Sequence, residues 1–168
     1  LASLFSALNP ASNMRFVFLL AISISTISYG QQTELDRRNG FKDIKMASPI
    51  DSVKGATFKK DFKHNGLPVK LYVVEHEDYS SIGEVKVNQI EASTYKGLIY
   101  QLVIVTEKDT RLMKAMESVL GKPVYNVRDE SYNWGGENVG LKFRSHSRNQ
   151  LSLDYTSMVV GRMMQEDK

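Results

Sequence analysis

From residue 56 onward, short apolar runs of strand-like period are separated by Gly- and Asn-containing breaks. Residues 56–62 and 68–76 read as strands joined by a turn at His64-Asn65-Gly66, because Asn-Gly supplies the positive φ that a tight hairpin needs. Leu71-Tyr72-Val73-Val74 is the β-branched and aromatic mixture that suits a pleated surface. Residues 84–95 form a further strand. Its apolar phase slips between Val87 and Ile90, which marks a bulge near Asn88-Gln89. After a turn at Lys96-Gly97, residues 98–105 are apolar on both faces and read as the central strand. Val139, Leu141 and Phe143 alternate with Asn138, Gly140, Lys142 and Arg144. Leu151, Leu153 and Tyr155 repeat the alternation, so both runs bury one face. Tyr132-Asn133-Trp134 precedes them across a turn at Gly135-Gly136.

Helical period is clearest in Thr110–Leu120, where Leu112, Ala115, Met116, Val119 and Leu120 form one stripe. Asp109 caps its start, and Gly121 with Pro123 ends it. A shorter helix is expected from Ser48-Pro49-Ile50-Asp51 to Gly55, after a short strand over residues 41–46. The tail from Met158 reads as another short helix. Tight turns between consecutive strands imply antiparallel pairing. The expected fold is therefore α+β: an antiparallel sheet of roughly five to seven strands with two main helices packed on one face. Each of these two helices is followed by Gly and then a group of strands, a faint internal echo.

The first thirty residues follow different rules. Met14-Arg15 is a short basic start, and Phe16 to Ser25 is an apolar run. Ser28-Tyr29-Gly30 places small residues at −3 and −1 of a cut before Gln31. This is the secretory pattern, with a run too short and Ser-rich to remain as a stable span. Residues 1–13 are read as a non-native extension upstream of an initiator Met14, 14–30 as the signal peptide, 31–40 as a flexible linker and 41–168 as one domain. The mature chain is placed in the periplasm or outside the cell.

Composition narrows the function. The 168 residues carry 22 Lys and Arg against 19 Asp and Glu. Removing Arg15 leaves 21 bases and a balance of +2, too weak a bias to imply nucleic acid. With no cysteine, disulfides, thiol nucleophiles, Cys-ligated metals and a lipid anchor on cysteine are excluded.

Ile44 to Val53 resembles the strand, small residue, helix opening of small periplasmic SmpA-type and β-lactamase-inhibitor-protein-like modules. Leu120-Gly121-Lys122-Pro123 with downstream Trp134 is similar to their Leu-Gly-x-Pro … Trp segment. The resemblance covers about a fifth of the chain and implies a protein-binding module of the envelope. Members mostly carry a lipid anchor or disulfides, for which this chain has no cysteine.

Candidate chemistry is sparse. His76-Glu77-Asp78 lacks the second histidine of a helical HExxH pair. No Gly-x-Ser-x-Gly elbow accompanies Ser145-His146-Ser147. No metal site or cofactor is implied. The patch read for ligand or partner binding is the cationic hairpin tip Arg144, His146 and Arg148, with Tyr132 and Trp134 as an aromatic surface. The expected function is an exported, non-enzymatic binding module whose partner is an envelope protein or an anionic ligand. The alternatives are a small extracytoplasmic hydrolase and a carrier of a small anionic or apolar ligand. Convergence of His76, His146, an acid and Trp134 in one cleft would favour these alternatives.

Overall fold

A computed structural model of the chain describes residues 33–168. The proposed extension and signal peptide lie outside the described residues. The chain opens with helix α1 (Glu34–Arg38) and a small hairpin of β1 (Gly40–Phe41) and β2 (Ile44–Lys45). A 3₁₀ turn (Ile50–Ser52) leads into β3 (Ala56–His64) and β4 (Leu67–Val74). A second 3₁₀ turn (Glu77–Tyr79) and β5 (Ser81–Ile82) precede β6 (Val85–Tyr95) and β7 (Leu98–Glu107). Helix α2 (Thr110–Leu120) follows, then β8 (Val124–Asn126), β9 (Ser131–Gly135), β10 (Val139–Ser147), β11 (Gln150–Ser157) and helix α3 (Met158–Glu166).

The main sheet runs β3-β4-β6-β7-β11-β10-β9-β8, with β5 attached to β6, and every pairing is antiparallel. Nine strands replace the five to seven expected, because β5 and β8 are two and three residues long and carry no alternating pattern of their own. The order has internal symmetry. One four-stranded meander (β3, β4, β6, β7) and a second (β8 to β11) each end at the centre, where β7 pairs with β11. The two strand groups of the sequence echo are present, but the helix it placed before the first is a single 3₁₀ turn.

Turn chemistry sets the register. Asn65 and Gly66 take φ of 52° and 86°, and Lys96 and Gly97 take 49° and 81°, as two-residue type I′ hairpins require. The bulge expected near residue 88 lies between Val87 and Gln89. Directly paired residues share a face. The row Tyr72, Ala92, Leu102, Tyr155, Leu141 and Trp134 therefore crosses six strands on one side. That side carries the main core, to which α1 adds Leu35 and α2 adds Leu112 and Met116. Helix α3 instead puts Val160 and Met164 into a second cluster with Val69, Tyr95 and Tyr100.

Two further expectations are corrected. The helix expected at residues 48–55 is a single 3₁₀ turn, because Val53 is already extended and Gly55 takes φ +70°. The single strand expected over 41–46 is a two-strand hairpin, turned at Lys42, which takes positive φ. The segment read as a linker contains α1. Thr33 Oγ1 accepts the Asp36 N–H at 3.1 Å and donates to Asp36 Oδ2 at 3.0 Å. The Asp36 carboxylate then accepts the backbone N–H groups of Glu137 (2.8 Å), Asn138 (2.8 Å) and Val139 (3.1 Å). This strap ties α1 to the β9–β10 turn. It also requires Gly136, where a Cβ would lie 2.3 Å from Asp36 Oδ1.

Candidate functional site

The two edges of the sheet differ in chemistry. β3 is long, bulged between Phe58 and Lys60, and studded with Lys59, Lys60, Asp61 and Lys63. Lysines and bulges are the usual means of keeping an edge strand from pairing with another chain. β8 has neither device. Val124 is 73% exposed, Tyr125 48% and Val127 78%. Val119 at the end of α2 and Tyr132 on β9 are also exposed, so among the described residues five of the eight exposed large apolar side chains fall between positions 119 and 132.

This corner is held from several sides. The Asp109 side chain caps α2 by accepting the Arg111 N–H at 2.8 Å, and the helix stops at Gly121 before Pro123. Trp134 is buried and donates its indole N–H to the Gly121 carbonyl at 2.7 Å, so the two halves of the Leu-Gly-x-Pro … Trp resemblance meet in space. β8 pairs with β9 through Val124–Asn133, Tyr125–Tyr132 and Asn126–Ser131. The Tyr125 and Tyr132 rings lie 4.9 Å apart at 46°. The intervening turn is closed by Arg128 N–H donating to Asn126 Oδ1 (3.0 Å) and by Lys142 Nζ on Asp129 Oδ2 (2.6 Å). The Lys142 ammonium and the Ser131 hydroxyl hold the Asp129 carboxyl below its ordinary value. The result is an apolar edge presented by an ordered frame.

The residues singled out in the sequence do not form one patch. Tyr132 pairs with Phe143 and Trp134 with Leu141 on the core side, whereas Arg144 pairs with Ser131 and points to the other side. Strict alternation along β10 separates the cation from both aromatics. Arg144 is also engaged, with a nitrogen 3.1 Å from Asp154 Oδ2. His146 is the extra residue of a bulge between Ser145 and Ser147 and is exposed, as is Arg148 at the hairpin tip. Of the five, Tyr132 stays at an exposed apolar surface, while Trp134 supports that surface from within.

His76 does not meet His146 either. It caps the second 3₁₀ turn, its Nδ1 accepting the Asp78 N–H at 3.2 Å. It follows β4 by two residues, and β4 is separated from β10 by β6, β7 and β11. Among the described residues no group of three His, Asp or Glu side chains gathers as a metal site, and no helix is long and apolar enough to cross a membrane.

No protein-family model, curated protein or solved structure matches this chain.

Sequence reasoning missed β8 because it is short and lies between turn signals. The available signal was compositional: Val124, Tyr125 and Val127 are β-formers in a stretch otherwise polar. The Asp36 strap was also missed, although Thr33-Glu34-Leu35-Asp36 has the Ser/Thr-x-x-acid spacing of a capping box.

Proposed function

We propose that this protein is an exported, non-enzymatic interaction module of the cell envelope, and that it engages a protein partner through the β8 edge. The observation that carries this reading is the contrast between the two edges, one guarded by lysines and a bulge, the other apolar and exposed at Val124, Tyr125 and Val127. An unguarded edge offers backbone hydrogen bonds to an extended segment and apolar pockets to its alternate side chains. The rings of Tyr125 and Tyr132 provide rigid contact area of the kind enriched at interfaces. The secretory pattern of Met14 to Gly30 and the resemblance to SmpA-type modules support the location.

A photo-crosslinking residue placed at Val127, and in parallel at Thr57 on the opposite edge, tests the site in living cells. A discrete protein adduct is expected from position 127 and not from 57. It is expected to fall at least tenfold when Val124→Lys is introduced beside it, on the order of one desolvated contact. Equal yields at both edges, or indifference to Val124→Lys, overturn the proposal. N-terminal sequencing of protein from outside the cytoplasm is expected to begin at Gln31; retention of residues 14–30 argues against export with cleavage.

A further inference from the structure

A second surface takes no residue from β8 and draws on β7, β11, α3 and the β3–β4 turn. Between α3 and the β3–β4 turn is a cleft of about 310 Å³, at the lower end of the range for ligand pockets. Tyr100 and Met164, both buried, form its floor, and the His64 ring lies 5.6 Å from that of Tyr100. The rest of the lining is polar, yet no Asp or Glu takes part.

The polar groups here are uncommitted. The side chains of His64, Asn65, Gln101, Thr156, Gln165 and Lys168 line the cleft and hold no hydrogen bond or ion pair with the described residues. Elsewhere Lys54, Lys59, Lys96 and Lys142 each hold a carboxylate. Asp167, the acid beside Lys168, is already taken by Lys96 at 2.7 Å and the Tyr95 hydroxyl at 2.7 Å. At the floor, the buried Tyr100 hydroxyl is near that of Ser93 but completes no hydrogen bond of normal geometry. That hydroxyl is closed off from solvent, so contact with a ligand falls to the outer side chains of the cleft.

Gly161 points the same way. It sits inside α3 and lines the cleft. Glycine is the weakest helix former after proline, and a Cβ built here meets nothing within 4 Å. Packing therefore does not demand glycine; its absent side chain leaves the cleft open.

We propose that this cleft binds a polyhydroxylated carboxylate of the uronic-acid kind. The Lys168 ammonium meets the carboxylate. Amides of Asn65, Gln101 and Gln165 both donate and accept, which matches hydroxyl groups. The exposed His64 ring, packed against Tyr100, receives the C–H face. No Asp or Glu side chain lines the cleft to favour a ligand bearing an ammonium instead.

Heteronuclear NMR of the protein titrated with glucuronate tests this, with glucose and inorganic phosphate in parallel. Saturable shifts are expected at the Gly161 and Gln165 backbone amides and the Gln101 side chain. Glucose and phosphate are each expected to bind at least tenfold more weakly. Gly161→Leu is expected to abolish the response, and Lys168→Ala and Gln101→Ala to weaken it about tenfold each. Unchanged melting of Lys168→Ala, an exposed substitution, separates lost binding from lost fold. Failure to saturate with glucuronate overturns the proposal. So does an equal response to glucose, which removes the anion, or to phosphate, which removes the hydroxyls. A response that survives Gly161→Leu overturns the location. None of these outcomes touches the β8 reading, because β8 contributes no residue to the cleft.

Discussion

Replacing Asp36 by Ala removes the only side chain tying α1 to the β9–β10 turn by hydrogen bonds among the described residues. The carboxylate is 5% exposed and receives three backbone N–H groups and one hydroxyl. A hydrogen bond to a charged group contributes about 1.5–3 kcal/mol, with the larger part of the loss arising where a donor stays dry. The Glu137 amide lies at an exposed turn and regains water when α1 leaves; the Val139 amide belongs to a fully buried residue and does not. Allowing for that recovery, Asp36→Ala is expected to destabilise the fold by about 3–4 kcal/mol. Asp36→Asn keeps one acceptor oxygen without the charge and is expected to cost about half as much, roughly 2 kcal/mol. Urea unfolding at neutral pH measures both, and hydrogen exchange at the Val139 amide reports whether the strap opens alone. The pH dependence adds a second check. Burial opposes the charge on Asp36, but the amides of Asn138 and Glu137, the Thr33 hydroxyl and the Val139 amide outweigh it, and the carboxyl sits below its ordinary value. Its contribution is therefore complete above the unfolded-state value near pH 4 and is lost as pH falls through the lower folded value. The stability gap between wild type and Asp36→Asn should narrow over that acid range. An Asp36→Ala variant within about 0.5 kcal/mol of wild type, the usual scatter of surface substitutions, refutes the assignment of the strap.

Gly136→Ala drives a Cβ into the same carboxylate and is expected to cost at least about 2 kcal/mol; in the Asp36→Ala background most of that penalty should vanish, which a double-mutant cycle reads directly. Trp134→Phe removes the indole N–H held by the Gly121 carbonyl and part of a buried ring, so chemical denaturation should register a loss of about 1–2 kcal/mol. At alkaline pH, burial pushes the Tyr155 and Tyr79 phenols up to about 12, with Asp43 adding to the effect at Tyr79. The fold keeps its stability below the unfolded phenol value near pH 10 and loses stability, on the order of 2–3 kcal/mol per tyrosine, as pH rises toward 12. Absorbance titration should show the Tyr79 and Tyr155 phenols ionising late or only with unfolding, and ionisation of both in the native state near pH 10 would contradict their burial.

The sheet was legible wherever local chemistry and burial agreed. Asn65-Gly66 and Lys96-Gly97 announced their hairpins because few residues adopt positive φ readily, and the phase slip at Val87 to Ile90 announced its bulge because alternation is strict. Helix α2 was legible in its limits, from Asp109 to Gly121, but its stripe overstated the core: Leu112 and Met116 are buried, while Ala115 and Val119 are exposed. Spacing reveals which side chains share a face, not how much of that face a neighbour covers. The candidate patch failed for the complementary reason. Arg144 and Tyr132 are neighbours across β9 and β10, yet one residue of register puts them on opposite sides, and that register was unknown from the chain. The α3 cleft draws on four separate segments, from His64 to Lys168, and no local pattern could bring them together.

The strap has a further consequence in time. Its acceptor is residue 36 and its donors are residues 137 to 139, a separation of 101 to 103 positions. Closing so long a loop must wait until most of the chain is present, and long-range closures of this kind come late and slowly. The N-terminal segment therefore stays unfastened while the first meander, built from adjacent hairpins, can already assemble. Until that clasp closes, α1 and the β9–β10 turn stay open to solvent and to proteases, so the C-terminal half of the chain decides when its N-terminal helix is sealed.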